Sequence, residues 1–188
     1  MYKELLSALA IVLTFFAFGP YIRSILHGQT RPHVFSWLIW GLTTFMVFLA
    51  TLADRGGAGA WPIGVSALIT MYVAWLAYLY KSDASITRID WIFFSLALSS
   101  MPLWYFTADP LWAVVILTTI DVIGFGPTLR KAYVRPAEEL LTFYLLMALR
   151  NVLAILALEQ YSVSTVLFPA MTGAGCVLLI AIVIYRRR

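Results

Sequence analysis

Residues 124–131 read GFGPTLRK and residues 17–24 read AFGPYIRS, so Phe-Gly-Pro followed by an arginine occurs twice, each time near the end of an apolar run. The two copies lie 107 positions apart. At the same offset, without any gap, Pro62 is matched by Pro169. Two distant anchors that share one offset indicate an internal repeat.

The composition is that of a membrane protein. Of the 188 residues, 62% are hydrophobic and only 12% are charged, and the mean hydropathy is +0.89. Most of the apolar runs are close to the roughly 20 residues that cross a bilayer core as a helix. We therefore predict an all-α integral membrane protein with seven transmembrane helices, at about residues 4–27, 34–53, 61–80, 90–107, 110–132, 137–158 and 163–185.

The repeat divides these helices into two sets of three. The offset matches helices 1–3 with helices 5–7 and leaves helix 4 without a counterpart. Two three-helix units joined directly would point in opposite directions, whereas one additional crossing restores the same orientation. The sequence thus predicts two parallel repeats, in residues 1–81 and 109–188, joined by a linker helix in residues 82–108. We expect a cavity where the repeats face each other near the middle of the membrane.

Prolines mark particular places in the predicted helices. Pro62 and Pro169 stand at the beginnings of helices 3 and 7, where proline is favoured, and we assign them no mechanism. Pro102 lies inside helix 4, the shortest of the runs, and predicts a kink there.

Basic residues are distributed unevenly between the loops. The N-terminus and the loops after helices 2, 4 and 6 hold only Lys3 and Arg55. Because basic loops remain cytoplasmic, we expect the N-terminus outside and the C-terminus in the cytoplasm of a multi-pass protein of a bacterial inner membrane. The net charge of +4 then follows from topology, so the expected partner is the lipid bilayer and not nucleic acid. The remaining loops and the C-terminal tail carry Arg23, Arg31, Lys81, Arg88, Arg130, Lys131, Arg135, Arg186, Arg187 and Arg188.

The chain resembles the SWEET and PQ-loop superfamily over essentially its whole length. The resemblance is carried by the three-plus-one-plus-three architecture, by the proline late in helices 1 and 5, and by residues 19–40, GPYIRSILHGQTRPHVFSWLIW. Pro20 and Pro127 match the proline of the PQ motif, although Tyr21 and Thr128 follow them in place of glutamine. Helices 3 and 7 contain no asparagine, so the asparagine pair of the sugar carriers is missing. The resemblance implies small-molecule transport without naming the solute.

Two charges fall deep inside predicted helices. Asp121 lies halfway along helix 5 and Arg150 about halfway along helix 6, at depths that would allow an ion pair. A charge at the bilayer centre costs roughly 2.5–3.5 kcal/mol on insertion scales. The sequence leaves open whether such a pair would fix helix packing or serve function.

Polar residues recur at these depths in both repeats. The offset matches Asp121 with Thr14 and Asn151, beside Arg150, with Thr44. We predict that these residues form a central substrate site. Asp121 would bind a cationic or hydroxyl group or take up a coupling proton, Arg150 would hold it ionised or meet an anionic group, and Asn151 would hydrogen-bond the solute.

Helix 2 carries two tryptophans on one face. Trp37 and Trp40 are three residues apart, close to Gly41 and Thr44. Trp37 comes early in its helix and suits an interfacial aromatic belt. Trp40 is deeper, and we include it among the substrate-binding residues.

The Phe-Gly-Pro copies also predict a pair of hinges. A proline inside a spanning helix weakens the hydrogen-bond ladder and permits a bend, and glycine adds freedom. We expect Pro20 with Gly19 and Pro127 with Gly126 to act as hinges at the cytoplasmic end. A static kink that suits packing is the alternative.

The predicted function is gradient-driven transport of a small polar or amphipathic solute, by a facilitator or a proton-coupled carrier. The alternative is a membrane receptor or sensor that binds a small ligand without net flux. We predict no enzymatic activity, no cofactor and no metal site, because the chain has no phosphate-binding glycine loop, nucleophile elbow or metalloprotease motif. Whether the chain acts alone or as a homo-oligomer is left open by the sequence.

Overall fold

The computed structural model describes residues 1–28, 32, 34–80, 88–134, 136–139 and 141–187, with the side chains of residues 89, 90, 93, 127, 130, 131 and 138 left out. Over these residues the chain is all-helical, as predicted, and contains no strand. The α-helices are α1 (Tyr2–Leu26), α2 (Val34–Ala53), α3 (Trp61–Leu79), α4 (Arg88–Thr107), α5 (Pro110–Val134), α6 (Leu141–Leu156) and α7 (Val163–Arg187), with short 3-10 helices at Gly57–Ala60 and Pro136–Glu138.

Several of these helices have the length and hydropathy of membrane spans. Four qualify among the described residues: α1, α2, α3 with its preceding 3-10 turn, and α7. The segments Pro110–Gly126 of α5 and Leu141–Leu156 of α6 are shorter apolar helices. Large apolar side chains lie exposed on the outer faces, for example Phe15, Leu68 and Val177. These features support a membrane protein, because lipid, unlike water, imposes no cost on such faces.

Helix α7 begins at residue 163, as the apolar run predicted, and a side-chain cap marks this beginning. The Ser162 backbone N–H donates to the Thr165 hydroxyl at 3.0 Å, and the Thr165 N–H donates to the Ser162 hydroxyl at 3.1 Å. This reciprocal cap starts α7 at Val163. Pro169 therefore lies inside α7, and its predicted position at the helix beginning is wrong. Pro62 does occupy the first turn of α3, as predicted.

The helices pack in two sets of three. In the first, α3 packs against both α1 and α2, and in the second, α7 packs against both α5 and α6. Between the sets, α1 packs on α6 and α2 packs on α5. We call α1–α3 the first unit and α5–α7 the second unit. The two units use corresponding contacts. If α1 is exchanged with α5, α2 with α6 and α3 with α7, each helix pair named above becomes another of the named pairs.

Helix α4 stands outside this exchange. It packs mainly on α5 and more lightly on α2. Its buried Ala97 joins the core between α2 and α5 that includes Val47, Val114 and Leu117. Pro102 lies inside α4, as the sequence predicts.

Contacts between the units join them at one end of the bundle. The Lys3 ammonium donates to the Leu158 carbonyl at 2.7 Å, and the Glu159 N–H donates to the Gly56 carbonyl at 3.1 Å. The Ser162 hydroxyl donates to the Asp54 carboxylate. The beginnings of α1, α3 and α7 and the ends of α2 and α6 therefore meet at this end, which we call the Lys3 end.

The opposite end gathers the other helix termini. The Phe18 and Phe143 rings, late in α1 and early in α6, meet edge to face with centroids 5.8 Å apart. The Arg186 side chain donates to the Tyr133 carbonyl at 3.0 Å and lies over the Tyr133 ring. Arg187 donates to the carbonyls of Pro136 and Glu139. Arg186 thus binds the end of α5, and Arg187 binds the segment that connects α5 to α6.

Candidate functional site

Asp121 is held by a residue of the other unit. It lies partly buried in α5, and its carboxylate accepts a hydrogen bond from the Thr43 hydroxyl of α2 at 3.2 Å. The Thr43 hydroxyl also lies 3.0 Å from the Trp40 carbonyl, one turn earlier in α2. Thr43 is fully buried, so this contact lies inside the interface between the units.

Trp40 belongs to the same neighbourhood. A side chain at Gly124, one turn after Asp121, would come within 3.1 Å of the Trp40 indole nitrogen, so α5 passes close to this ring. We call Asp121, Thr43 and Trp40 the Asp121 cluster. Its polar atoms come from both units, and the aromatic ring covers it toward the end opposite Lys3.

Arg150 lies in a second cluster. Its side chain is 2% exposed, and its guanidinium donates to the Asn151 side-chain oxygen at 2.7 Å and to the Pro62 carbonyl at 2.5 Å. The Pro62 carbonyl belongs to the first turn of α3, so this hydrogen bond also crosses between the units. We call Arg150, Asn151 and the Pro62 carbonyl the Arg150 cluster.

The predicted ion pair between Asp121 and Arg150 is wrong. The hydrogen bonds of these two side chains go to different partners, and the ion pair found among the described residues joins the N-terminus to Glu4. The reason is the helix packing: α7 packs against both α5 and α6, so the helices that carry Asp121 and Arg150 do not pack side by side as the prediction assumed.

Two donors of the Arg150 cluster have no hydrogen-bond partner among the described residues. They are the Nε of Arg150 and the side-chain nitrogen of Asn151. Asn151 is 1% exposed, so bulk water does not reach it. The unpaired amide nitrogen is on the same side chain whose oxygen accepts from Arg150, so both unpaired donors belong to this cluster. Buried donors left unpaired cost about 1–3 kcal/mol each.

The remaining predicted polar residues are buried near these helices. Thr14 is fully buried in α1, and its hydroxyl donates to the Ala10 carbonyl at 2.8 Å. Thr44 is buried in α2 next to Thr43. The structure therefore places Asp121 with Trp40 and Arg150 with Asn151, while Thr14 and Thr44 form no hydrogen bond with either cluster.

Thr43 is a site residue that the sequence analysis missed. The offset of 107 that pairs Thr44 with Asn151 also pairs Thr43 with Arg150. In the structure, these two residues each donate a hydrogen bond to the other unit, Thr43 to α5 and Arg150 to α3. The available signal was this match of a threonine with an arginine at the predicted repeat offset.

Aromatic side chains close the interface between the units on the side away from Lys3. The Trp37 ring stacks on Tyr21 at 5.1 Å and meets Trp40 edge to face at 5.6 Å. Phe18 touches both Trp37 and Phe143, and so links α2 to α6. Trp37 is partly buried in this group, which we call the aromatic cluster: Phe18, Tyr21, Trp37, Trp40 and Phe143.

The predicted hinge residues lie within continuous helices. Gly19 and Pro20 are exposed in α1, and Gly126 is exposed in α5. A methyl group at Gly19 or Gly126 would meet nothing within 4 Å, so packing does not require glycine at either position. Position 127 also falls inside α5, but the Pro127 side chain lies outside the described part of the chain.

A groove of about 340 Å³ opens beside α2 and α4. It is lined by Met46, Met101, Trp104, Tyr105 and Ala108. A second space of about 10 Å³ lies next to it and reaches Thr43. The groove thus lies between α2 and α4, whereas the sequence predicted a cavity where the two repeats face each other near the middle of the membrane.

Searches with family models, curated proteins and solved structures found no match to this chain.

Proposed function

We propose that the protein is a gradient-driven membrane transporter, a facilitator or a proton-coupled carrier, that moves a small polar or amphipathic solute by alternating access between the two units. In this proposal all seven α-helices cross the membrane, α4 is the linker, and the architecture is that of the SWEET and PQ-loop superfamily. The N-terminus faces outside and the C-terminus the cytoplasm.

The observation that carries the proposal is that a polar side chain of each unit reaches into the other. Thr43 reaches from α2 to Asp121 of α5, and Arg150 reaches from α6 to the beginning of α3. Exchanging the units also relates the packing of α1 on α6 to that of α2 on α5. Two units related in this way form an interface that can rearrange by rocking one unit against the other, and binding sites of such transporters lie at the interface.

The buried charges support function over packing alone. Among the described residues, the hydrogen-bond acceptors of Arg150 are neutral oxygens, and the donor to Asp121 is one hydroxyl. Ionisable side chains within membrane-spanning segments are costly and mark solute or proton pathways. An ion pair between Asp121 and Arg150 that only fixed the helix packing would have neutralised both side chains. In the structure the two side chains do not neutralise each other, so each remains available to a solute or a proton.

The contacts at both ends fit an occluded state. The hydrogen bonds of Lys3 and Glu159 join the units at one end, and the aromatic cluster joins them toward the other. Alternating access would break one of these sets at a time, with bending at the predicted hinges Gly19, Pro20, Gly126 and Pro127.

Uptake into proteoliposomes tests the proposal. The purified full chain is first screened for thermal stabilisation by sugars, vitamins, nucleosides, amino acids and organic acids, and a stabilising compound is then followed as a radiolabel into liposomes. We expect accumulation or equilibration that is lost in Asp121→Asn. Binding without uptake would assign the protein as a receptor. Intact binding and uptake in both Asp121→Asn and Arg150→Ala, with both variants folded, would remove the proposed site.

A further inference from the structure

The Arg150 cluster combines a buried positive charge with two unpaired donors. Arg150 and Asn151 are both at least nine-tenths buried, and the partners of the guanidinium are the neutral oxygens of Asn151 and Pro62. The Cys176 thiol of α7 lies within electrostatic range, but an ordinary thiol is uncharged at neutral pH and does not offset the guanidinium. Arginine remains protonated in proteins, so the cluster holds an uncompensated charge.

The unpaired donors point to an acceptor with two oxygens. The Arg150 Nε–H and the Asn151 NH₂ are donors only, so neither can be satisfied by another donor. An arginine N–H and a neighbouring N–H can donate hydrogen bonds to the two oxygens of one carboxylate. A single guanidinium also offsets one negative charge, which suits a carboxylate better than a doubly charged phosphate.

Helix α7 packs closely beside Asn151. A methyl group at Gly173 would come within 3.3 Å of the Asn151 Cβ, which is tighter than ordinary contact, and within 4.0 Å of its amide nitrogen. Glycine at this position therefore lets α7 approach the Asn151 side chain.

We propose that the Arg150 cluster binds the carboxylate of a small organic anion, so that the solute of the transporter is an organic acid. The inference rests on the proposed function and narrows its solute. The carboxylate accepts from the Arg150 Nε and the Asn151 amide, which satisfies both donors and neutralises the buried charge. Because the Arg150 side chain bridges to Pro62 of the other unit, binding there would bias the contact between the units.

Thermal unfolding of the purified full chain in detergent tests this inference with acetate, lactate, benzoate and succinate, each compared with its amide. We expect carboxylates to raise the melting temperature in a saturable manner and the amides to leave it unchanged. Chloride and inorganic phosphate are run at the same ionic strength. A rise in melting temperature with chloride or phosphate alone, or no rise with any anion, would overturn the proposal. Water would then be the hydrogen-bond partner of the two donors.

The informative variant is Asn151→Asp, which changes the size of the side chain very little. An aspartate here supplies an internal carboxylate to Arg150, so the unliganded protein should melt at a higher temperature while the half-saturating carboxylate concentration rises by at least roughly tenfold. The matched control is Thr70→Val, because the buried Thr70 hydroxyl bonds only within α3, to Ser66, and the substitution should leave the response unchanged. An unchanged carboxylate response in Asn151→Asp would contradict the proposal.

Arg150→Gln gives a second measurement that does not depend on the first. If this variant folds, the carboxylate response should vanish, and retention of the response would overturn the assignment. Failure of the two proposals is distinguishable: carboxylate binding without uptake would reject the transporter alone, whereas uptake of an uncharged solute without carboxylate binding would reject the organic acid alone.

Discussion

Thr43 and Thr44 are neighbours in α2 with different surroundings. Both side chains are buried, but the Thr43 hydroxyl contacts the Asp121 carboxylate, whereas Thr44 has no hydrogen bond to the described part of the second unit. The difference follows from the helix period, which turns adjacent residues about 100° apart. At this scale the sequence singled out Asp121, Arg150, Asn151 and Thr44 as candidates but did not single out Thr43, which is the threonine that contacts Asp121.

We predict that Thr43→Val lowers the free energy of unfolding by about 1–2 kcal/mol, because the partly buried Asp121 carboxylate loses its hydroxyl donor while the side-chain volume is kept. The matched variant Thr44→Val should change it by less than about 0.5 kcal/mol. Unfolding in mixed micelles measures both. Equal effects of the two substitutions would show that the hydroxyl of Thr43 does not stabilise Asp121.

Helix bounds were predicted more accurately than helix interiors. The apolar runs at 34–53 and 110–132 correspond to Val34–Ala53 and Pro110–Val134 in the structure. The beginning of α7 at residue 163 was predicted from the apolar run, and Ser162 and Thr165 cap the helix there. The assignment of Pro169 to the helix beginning was wrong, because the run itself begins six residues before this proline. A serine followed three residues later by a side-chain acceptor is a further signal for the cap.

The glycines of α1 and α5 permit a prediction at the scale of helices. We expect Gly19→Ala and Gly126→Ala each to raise the free energy of unfolding by about 0.5–1 kcal/mol, since alanine favours the helix and its methyl meets open space. If these positions are hinges, both variants should transport more slowly than the native protein. Uptake and micelle unfolding measure the two effects, and native uptake rates in both stabilised variants would exclude the hinges.

Gly59 provides the contrasting case. A methyl group there would come within 2.6 Å of the Ala154 carbonyl and 2.7 Å of the Leu158 backbone nitrogen, which are atoms of the other unit's backbone. Gly59→Ala should therefore lower the free energy of unfolding by about 1–3 kcal/mol. An unchanged free energy of unfolding would mean that the backbones of the two units lie farther apart at the Lys3 end than in the structure.

At the scale of the whole molecule, contacts join the two units at both ends of their interface. Hydrogen bonds of Asp54, Lys3 and Glu159 join them at one end, and the aromatic cluster joins them toward the other. The proposed alternating access requires these two sets of contacts to break in turn. A covalent link across either end should therefore stop transport.

We predict that a cysteine pair at Asp54 and Ser162, introduced into a Cys176→Ala background and joined by a short thiol crosslinker, abolishes uptake, because the link holds the Lys3 end closed. The native cysteine is buried and unpaired, so its removal leaves only the introduced thiols. Uptake before and after a reducible crosslink provides the measurement, and reduction should restore it.

A crosslink within one unit is the matched control. Tyr133 and Arg186 touch each other, and both belong to the second unit. Cysteines at these positions, joined in the same way, should leave uptake unchanged, since α5 and α7 move together. Uptake that survives the link at Asp54 and Ser162, or that is lost equally with both links, would contradict rocking between the units.

The sequence by itself determined the all-helical class, the helix bounds and the positions of Asp121, Arg150 and Asn151 along their helices, because hydropathy acts locally along the chain. Only the tertiary structure decided the partners of these residues. Asp121 faces Thr43 and Arg150 reaches Pro62, because the packing of α7 against both α5 and α6 and the rotation of each helix about its axis set the directions of the side chains. These depend on packing across the whole bundle, which the spacing of residues along one helix does not encode.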